Sequence, residues 1–279
     1  ILQPHRVFLP LLGYITKIHL QLINIFVTYC FLNILYKHIL KFQSRTVTNL
    51  LLASLSTAMV VQFHYNFGAY PDILCYFFLL LAFINKERPI YPYIFFFIAL
   101  LTKETAVFTV LFFLALKNFS KMKLVLTCLL YLPIYLSLNT GSYNLEHYLT
   151  PLQTDLMYWV NQSKSYIVTG YFSSIKYLWI IVILYIFRDF RNSYPVILLI
   201  IGISLQFMLG GDTTRFVSFI FLGLIFVVEK LKLDKFLFLN IFILFLNIIT
   251  AKYYVFAYGE MIILNESRLS FLNFFEIFN

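Results

Sequence analysis

Apolar runs recur along the whole chain and are separated by short polar loops. Each run predicts a helix, lettered here in chain order: A 19–36, B 49–64, C 70–84, D 89–101, E 105–116, F 124–138, G 167–187, H 194–209, I 216–228 and J 236–251. The longer runs approach the roughly 20 residues that a helix needs to span a bilayer, whereas C, D and E are shorter. The pattern predicts an all-α fold, a polytopic transmembrane bundle of about ten helices.

The loops between these segments give no sign of a separate soluble domain. We predict a single transmembrane domain over residues 1–279, with an outer amphipathic element at 1–18, an outer loop at 139–165 and an outer tail at 252–279. The composition agrees, since 61% of the residues are hydrophobic and 12% are charged. A soluble domain has roughly 25% charged residues, so the composition argues against a soluble fold.

Basic residues gather in alternate loops, those that follow segments A, C, E, G and I. Thirteen of the 21 Lys and Arg residues lie there: Lys37, Lys41, Arg45, Lys86, Arg88, Lys117, Lys121, Lys123, Arg188, Arg191, Lys230, Lys232 and Lys235. Because Lys and Arg accumulate in short cytoplasmic loops, this side is predicted to be cytoplasmic and the opposite helix ends to lie outside. The orientation of the chain in the membrane then explains its net charge of +9. Each loop has only two or three basic residues, which argues against a nucleic-acid partner.

Lys103 and Glu104 stand side by side inside the apolar stretch 89–116. Charged side chains at membrane depth are costly and are kept mainly where they pair, bind a ligand or face a wet cavity. Segment D rises only roughly 20 Å, so both side chains are predicted to lie below the outer surface. A Lys there suits a phosphate, and the Glu can hold the Lys or coordinate a metal or a sugar hydroxyl. The alternative is a self-neutralising pair at a tight outer turn.

The outer segment 210–215 separates segments H and I and reads GGDTTR. Asp212 is placed to cap segment I, and Arg215 can grip a phosphate with two parallel hydrogen bonds. The alternative is an ordinary capped hairpin with an interfacial Arg.

No Walker loop, G-x-G-x-x-G, H-E-x-x-H or G-x-S-x-G motif is present. ATP-driven transport and metalloprotease chemistry therefore lose support.

Two further outer segments carry candidate side chains. His5 and Arg6 belong to a short amphipathic element, for which an interfacial helix with snorkelling charge is the plain interpretation. His64 precedes residues 65–71, and Asp72 follows them near the start of segment C, where its alternative role is that of a helix cap. All four residues fall on the predicted outer face, so any active site is expected to open there.

Four short motifs occur in order along the chain: RVFLPLL at 6–12, PDIL at 71–74, ALLTKET at 99–105 and GDTTR at 211–215. Together they resemble the landmarks of GT-C-type integral-membrane glycosyltransferases, and the likeness spans about residues 4–230. The resemblance implies a mannosyltransferase-like enzyme that takes a sugar from a polyprenyl-phosphate donor at the non-cytoplasmic face. Its expected partners are that lipid-linked sugar and membrane lipid.

The resemblance also implies roles for individual residues. Asp72 and Glu104 are assigned supporting catalytic positions, and substrate binding is assigned to His5, Arg6, His64, Lys103, Asp212 and Arg215. The main catalytic acid of such enzymes precedes the element at 6–12, and nothing before Pro4 supplies it. We therefore expect the chain to be truncated at its N-terminus. The sequence leaves the cofactor unassigned, with a divalent metal as one option.

Other functions fit the same pattern. A secondary transporter or lipid-linked saccharide flippase would line its path with Lys103, Glu104 and Arg215. A polysaccharide polymerase-like enzyme would share the lipid-linked substrates, and a non-catalytic membrane subunit would leave these charges far apart. A bacterial or archaeal cytoplasmic membrane is the preferred location, with the endoplasmic reticulum as the alternative.

Overall fold

The computed structural model describes residues 13–16, 19–66, 71–138, 164–206, 215, 217–250, 252–255 and 261–264. Helices dominate this part of the chain, as predicted. Their bounds are α1 Leu20–Ile39, α2 Arg45–Ser56, α3 Met59–Asn66, α4 Asp72–Ile84, α5 Tyr91–Thr102, α6 Val110–Ala115, α7 Lys121–Leu138, α8 Lys164–Ile175, α9 Trp179–Arg188, α10 Tyr194–Leu205, α11 Phe221–Lys230 and α12 Leu237–Ile249. Short 3₁₀ segments join several of them: Glu104–Thr109, Lys176–Leu178, Phe190–Asn192, Ser218–Ile220 and Leu233–Phe236.

Several predicted segments are broken rather than continuous. Segment B forms α2 and α3, segment E is a 3₁₀ turn followed by α6, and segment G is interrupted between α8 and α9. A continuous apolar run fixes which residues avoid water, but it does not require one unbroken helix when neighbouring elements supply the hydrogen bonds. Within the predicted outer tail, β1 Lys252–Val255 and β2 Met261–Leu264 are short strands that pair antiparallel.

Two helical stretches are long and apolar enough to cross a membrane, judged by length and composition. They are Leu20–Ile39 and Val168–Arg188, the second of which runs through the break between α8 and α9. Shorter apolar helices occur at Asp72–Ile84, Tyr91–Thr102, Glu104–Ala115 and Tyr194–Leu205. A helix of 12 or 13 residues rises about 18–20 Å, short of the roughly 30 Å hydrocarbon core. The ten-span arrangement therefore stays a prediction.

A buried aromatic cluster joins the central helices. The ring of Phe31 in α1 meets Phe221 of α11 edge-on, with ring centroids 5.5 Å apart. Phe83 of α4 lies 5.8 Å from Phe112 of α6, which in turn lies 6.2 Å from Phe226 of α11. All these rings except Phe226 are fully buried, and Phe226 is 7% exposed. Aromatic burial of this kind dominates core energetics, so α1, α4, α6 and α11 form the centre of the fold.

The outward faces of other helices are apolar as well. Phe26 and Tyr29 of α1, Phe187 of α9 and Phe238 and Phe245 of α12 are each more than half exposed. A water-soluble surface scatters such residues singly, whereas contiguous apolar faces mark contact with a membrane or a partner. This distribution is what the predicted bundle requires of its lipid-facing side.

Candidate functional site

Asp72 begins α4, directly after Pro71, and its side chain is completely buried. Its position at the first helical residue suits a carboxylate, because the backbone N–H groups of a helix N-terminus favour negative charge. The N-cap residue is Pro71, and the Asp72 carboxylate binds groups outside its own helix. It accepts hydrogen bonds from Lys103 and Arg215, which come from two other parts of the chain.

Lys103 ends α5 in an extended conformation, with φ −155° and ψ 119°. This change of backbone direction turns the side chain away from the helix axis, and the Glu104–Thr109 3₁₀ segment follows at once. The Lys103 side chain is 1% exposed, and its ammonium group contacts Asp72 Oδ1. The ammonium also lies 5.8 Å from the ring centroid of Phe219, a favourable cation–π distance.

Arg215 binds the same carboxylate through two hydrogen bonds. Its Nη2 lies 2.7 Å from Asp72 Oδ2 and its Nε lies 3.3 Å from Asp72 Oδ1. The hydroxyl of Tyr76 donates to the Arg215 backbone carbonyl at 3.0 Å. Tyr76 stands four residues after Asp72, so both side chains project from the same face of α4. That spacing is the signal by which sequence analysis could have included Tyr76.

The Asp72–Lys103–Arg215 cluster therefore places one carboxylate between two cations at the predicted outer ends of α4, α5 and α11. Leaving one member of such a buried group without its partners costs about 3–5 kcal/mol, so the three side chains hold one another in place. Arg215 has the most accessible side chain of the three, 12% exposed. A guanidinium and an ammonium fixed side by side offer an anionic group a preorganised pair of donors.

The remaining predicted site residues are placed less fully. Glu104 follows Lys103 and is half-buried at the start of the 3₁₀ segment. His64 lies in α3, and its side chain is outside the described residues, as are His5, Arg6 and Asp212 altogether. In the described part of the chain, no group of three or more His, Cys, Asp or Glu residues is arranged to hold a metal ion.

Two elements beside the cluster contain buried polar atoms that lack a hydrogen-bond partner within the described structure. These atoms are the hydroxyl oxygen of Thr105, in the Glu104–Thr109 segment, and both amide atoms of Gln206, the residue that ends α10. The contact between these elements is unusually close, because a Cβ added to Gly202 would lie 2.2 Å from the Phe108 carbonyl oxygen. Buried polar atoms without partners are rare in folded proteins and mark places where a further polar group can bind.

A second buried cation, Lys176, was not among the predicted site residues. It has φ 50° and lies at the break between α8 and α9. Its ammonium donates to the carbonyl oxygens of Asn247, at 2.7 Å, and Thr250, at 2.9 Å, which end α12. A cation stabilises the negative end of a helix, so Lys176 supports the break by capping α12. The lone Lys inside segment G is the signal that could have revealed it.

Polar groups also meet at the opposite, basic end of the helices. Glu229, which follows apolar segment I, accepts a hydrogen bond of 2.8 Å from His38 and pairs with Lys86. Burial alone raises the pKa of Glu229, but the bonds from His38 and Lys86 outweigh it and hold this pKa below its ordinary value of 4.5. Three loops that the charge pattern assigns to one side of the membrane therefore lie together.

No protein-family model, curated protein or solved structure matches this chain. Its class is therefore defined by the fold and the site alone. The described residues form a helical protein with apolar outward faces and a buried carboxylate–dication cluster at one end.

Proposed function

We propose that this chain is a multi-pass membrane glycosyltransferase of the GT-C type, which transfers a sugar from a polyprenyl-phosphate donor at the non-cytoplasmic face. The observation that carries the proposal is the convergence of Asp72, Lys103 and Arg215, which are 31 and 143 residues apart along the chain. A non-catalytic membrane subunit was expected to leave these charges far apart. Charged groups at membrane depth are kept mainly where they pair, bind a ligand or face a wet cavity.

The proposed reaction breaks the bond between sugar C1 and the donor phosphate oxygen, and forms a bond between C1 and an acceptor hydroxyl oxygen. The leaving polyprenyl phosphate takes the bonding electrons, and the hydroxyl proton passes to a general base. Lys103 and Arg215 bind the phosphate and stabilise the charge that develops there. Asp72 holds both cations at a fixed spacing and acts as a positioning residue. Glu104 is a supporting carboxylate beside Lys103.

In this proposal the remaining apolar segments complete a ten-span bundle, with a bacterial or archaeal cytoplasmic membrane as its location. The short helices α4 and α5 support an active site below the outer surface. Each rises only about 18–20 Å, so their charged ends lie inside a roughly 30 Å hydrocarbon core. A lipid-linked donor can then reach the cluster from the membrane while its sugar faces outward.

The direct test is a transfer assay on the full-length protein in lipid, with radiolabelled polyprenyl-phosphate mannose as donor and a membrane lipid extract as acceptor. Lys103→Ala should lower turnover by roughly 10²–10³-fold, the usual effect of removing one charge-stabilising donor. Lys37→Ala, an exposed Lys at the basic end, is the matched control and should transfer normally. Wild-type turnover in Lys103→Ala, with normal membrane insertion, would remove Lys103 from the mechanism.

A lipid-linked saccharide flippase or secondary transporter is the second candidate, and the break at Lys176 is the observation that favours it. Discontinuous helices with exposed backbone ends are typical of transporter binding sites. The two candidates differ in chemistry, because a flippase moves the intact donor whereas a transferase releases polyprenyl phosphate. Proteoliposomes loaded with polyprenyl-phosphate mannose distinguish them. Movement of the donor between leaflets without release of polyprenyl phosphate would replace the glycosyltransferase proposal.

A further inference from the structure

A cavity of about 640 Å³ lies at the basic end of the helices, away from the Asp72 cluster. Its walls come from the ends of α6, α9, α10 and α11 and from the loops beside them. Its volume is in the range of sites that bind small molecules. The basic side chains in its wall come from four separate loops: Lys86, Lys117, Arg188, Lys230, Lys232 and Lys235.

Two carboxylates share this wall, and both are already engaged. Glu229 binds His38 and Lys86, and Asp189 accepts two hydrogen bonds from the Asn192 side chain, at 2.9 and 3.0 Å. In the described part of the chain, neither carboxylate forms an ion pair with the remaining basic side chains of the wall. Within the described part of the chain, the exposed side chains of Lys117, Arg188, Lys232 and Lys235 have no carboxylate within 4.0 Å.

Orientation in the membrane accounts for basic loops, but not for their convergence on one concave site. Lys37 and Lys41 show the difference, because they lie in a basic loop and are exposed outside the cavity. The cavity wall is also held in place. The Tyr194 hydroxyl donates to the Ala115 carbonyl at 2.6 Å and thereby joins α10 to the end of α6.

We propose that this cavity binds a phosphate-bearing anion. Several cations without a directly paired carboxylate, around a space of this size, suit a group with two or more phosphate oxygens. Such a group is found in an anionic lipid headgroup and in a soluble diphosphate. Phe187 and Phe190 flank Arg188 and Asp189 and are 84% and 69% exposed. These exposed apolar side chains, next in sequence to two lining residues, give acyl chains a surface to contact, which favours the lipid headgroup.

The test measures binding of two probes to the full chain in a neutral detergent. One probe is dioctanoyl phosphatidic acid and the other is inorganic pyrophosphate, each titrated calorimetrically at low salt. The cavity variant is Arg188→Gln/Lys232→Gln/Lys235→Gln, and the matched control is Lys37→Gln/Lys41→Gln/Arg45→Gln, which removes the same charge from the same end. All six side chains are exposed, so both variants should fold normally.

The proposal predicts that at least one probe binds the wild type, and that its affinity falls tenfold or more in the cavity variant but not in the control. Tighter binding of phosphatidic acid than of pyrophosphate would identify a lipid headgroup, and the reverse would identify a soluble anion. Failure of both probes to bind, or an equal loss in the control variant, would overturn the proposal.

Discussion

Asp72→Asn tests the central cluster most directly, because it removes one negative charge and changes little else. The amide keeps the size of the carboxylate and part of its hydrogen bonding. Lys103 and Arg215, however, lose the negative charge that both of them contact. Since Lys103 is 1% exposed, water cannot replace the lost partner without opening the packing of α4 against α5.

Two magnitudes bear on the expected effect. A hydrogen bond between helices in a membrane contributes about 0.6 kcal/mol on average. Removing one partner of a buried ion pair costs about 3–5 kcal/mol, because a charge then stays buried without compensation. Asp72 and Lys103 are both fully buried, so the second magnitude applies. We expect Asp72→Asn to lower the free energy of unfolding by about 3 kcal/mol or more.

The assay is equilibrium unfolding of the purified chain in mixed micelles, followed by circular dichroism. Asp72→Asn/Lys103→Met is the key comparison, because it removes both buried charges and fills the space with an apolar side chain. The double variant should be more stable than the sum of the two single changes predicts, by about 1–3 kcal/mol. Additive effects, or an Asp72→Asn stability within about 0.5 kcal/mol of wild type, would refute the buried pairing.

Two further predictions concern packing and pH. Gly202→Ala should destabilise the chain by about 1–3 kcal/mol, because the new Cβ would meet the Phe108 carbonyl oxygen. The comparison is Gly223→Ala in the same unfolding assay. Its effect should be smaller, because the new Cβ would meet only side-chain atoms, at 3.2 Å or more. The pKa of Glu229 is lower in the folded chain than its unfolded value of about 4.5. The ion pairing of Glu229 therefore stabilises the fold above pH 4.5, and this contribution is lost as the pH falls. The stability advantage of the wild type over Glu229→Gln should be full at pH 7 and shrink below pH 4.5; an advantage independent of pH would contradict the charged pairing.

The polar residues that sequence analysis could find are those whose charge conflicts with an apolar surrounding. Asp72, Lys103 and Arg215 stand out in this way, and their predicted shared side follows from the alternation of basic loops. The predicted helical character rests on the same contrast between apolar and polar segments. These inferences depend on which residues avoid water, and a single sequence reports that property directly.

The missed features depend on contacts between distant segments. Gly202 is an ordinary helical glycine until the Phe108 carbonyl lies against it, and Tyr76 is an ordinary aromatic residue until Arg215 lies beside it. The break at Lys176 is stable because the end of α12 accepts its ammonium group. Neither local propensity nor hydrophobic period carries information about such partners. The basic cavity was missed for the same reason, since its cations come from separate loops.

Ion pairs join α4 and α11 at both ends of the fold. Asp72 at the start of α4 binds Arg215 ahead of α11, and Lys86 just beyond α4 binds Glu229 near the end of α11. A slide of α4 by one turn along α11, about 5.4 Å, would break both ion pairs. The two ion pairs therefore oppose sliding of α4 along α11. A larger rearrangement of the described helices is expected to keep α4 and α11 together.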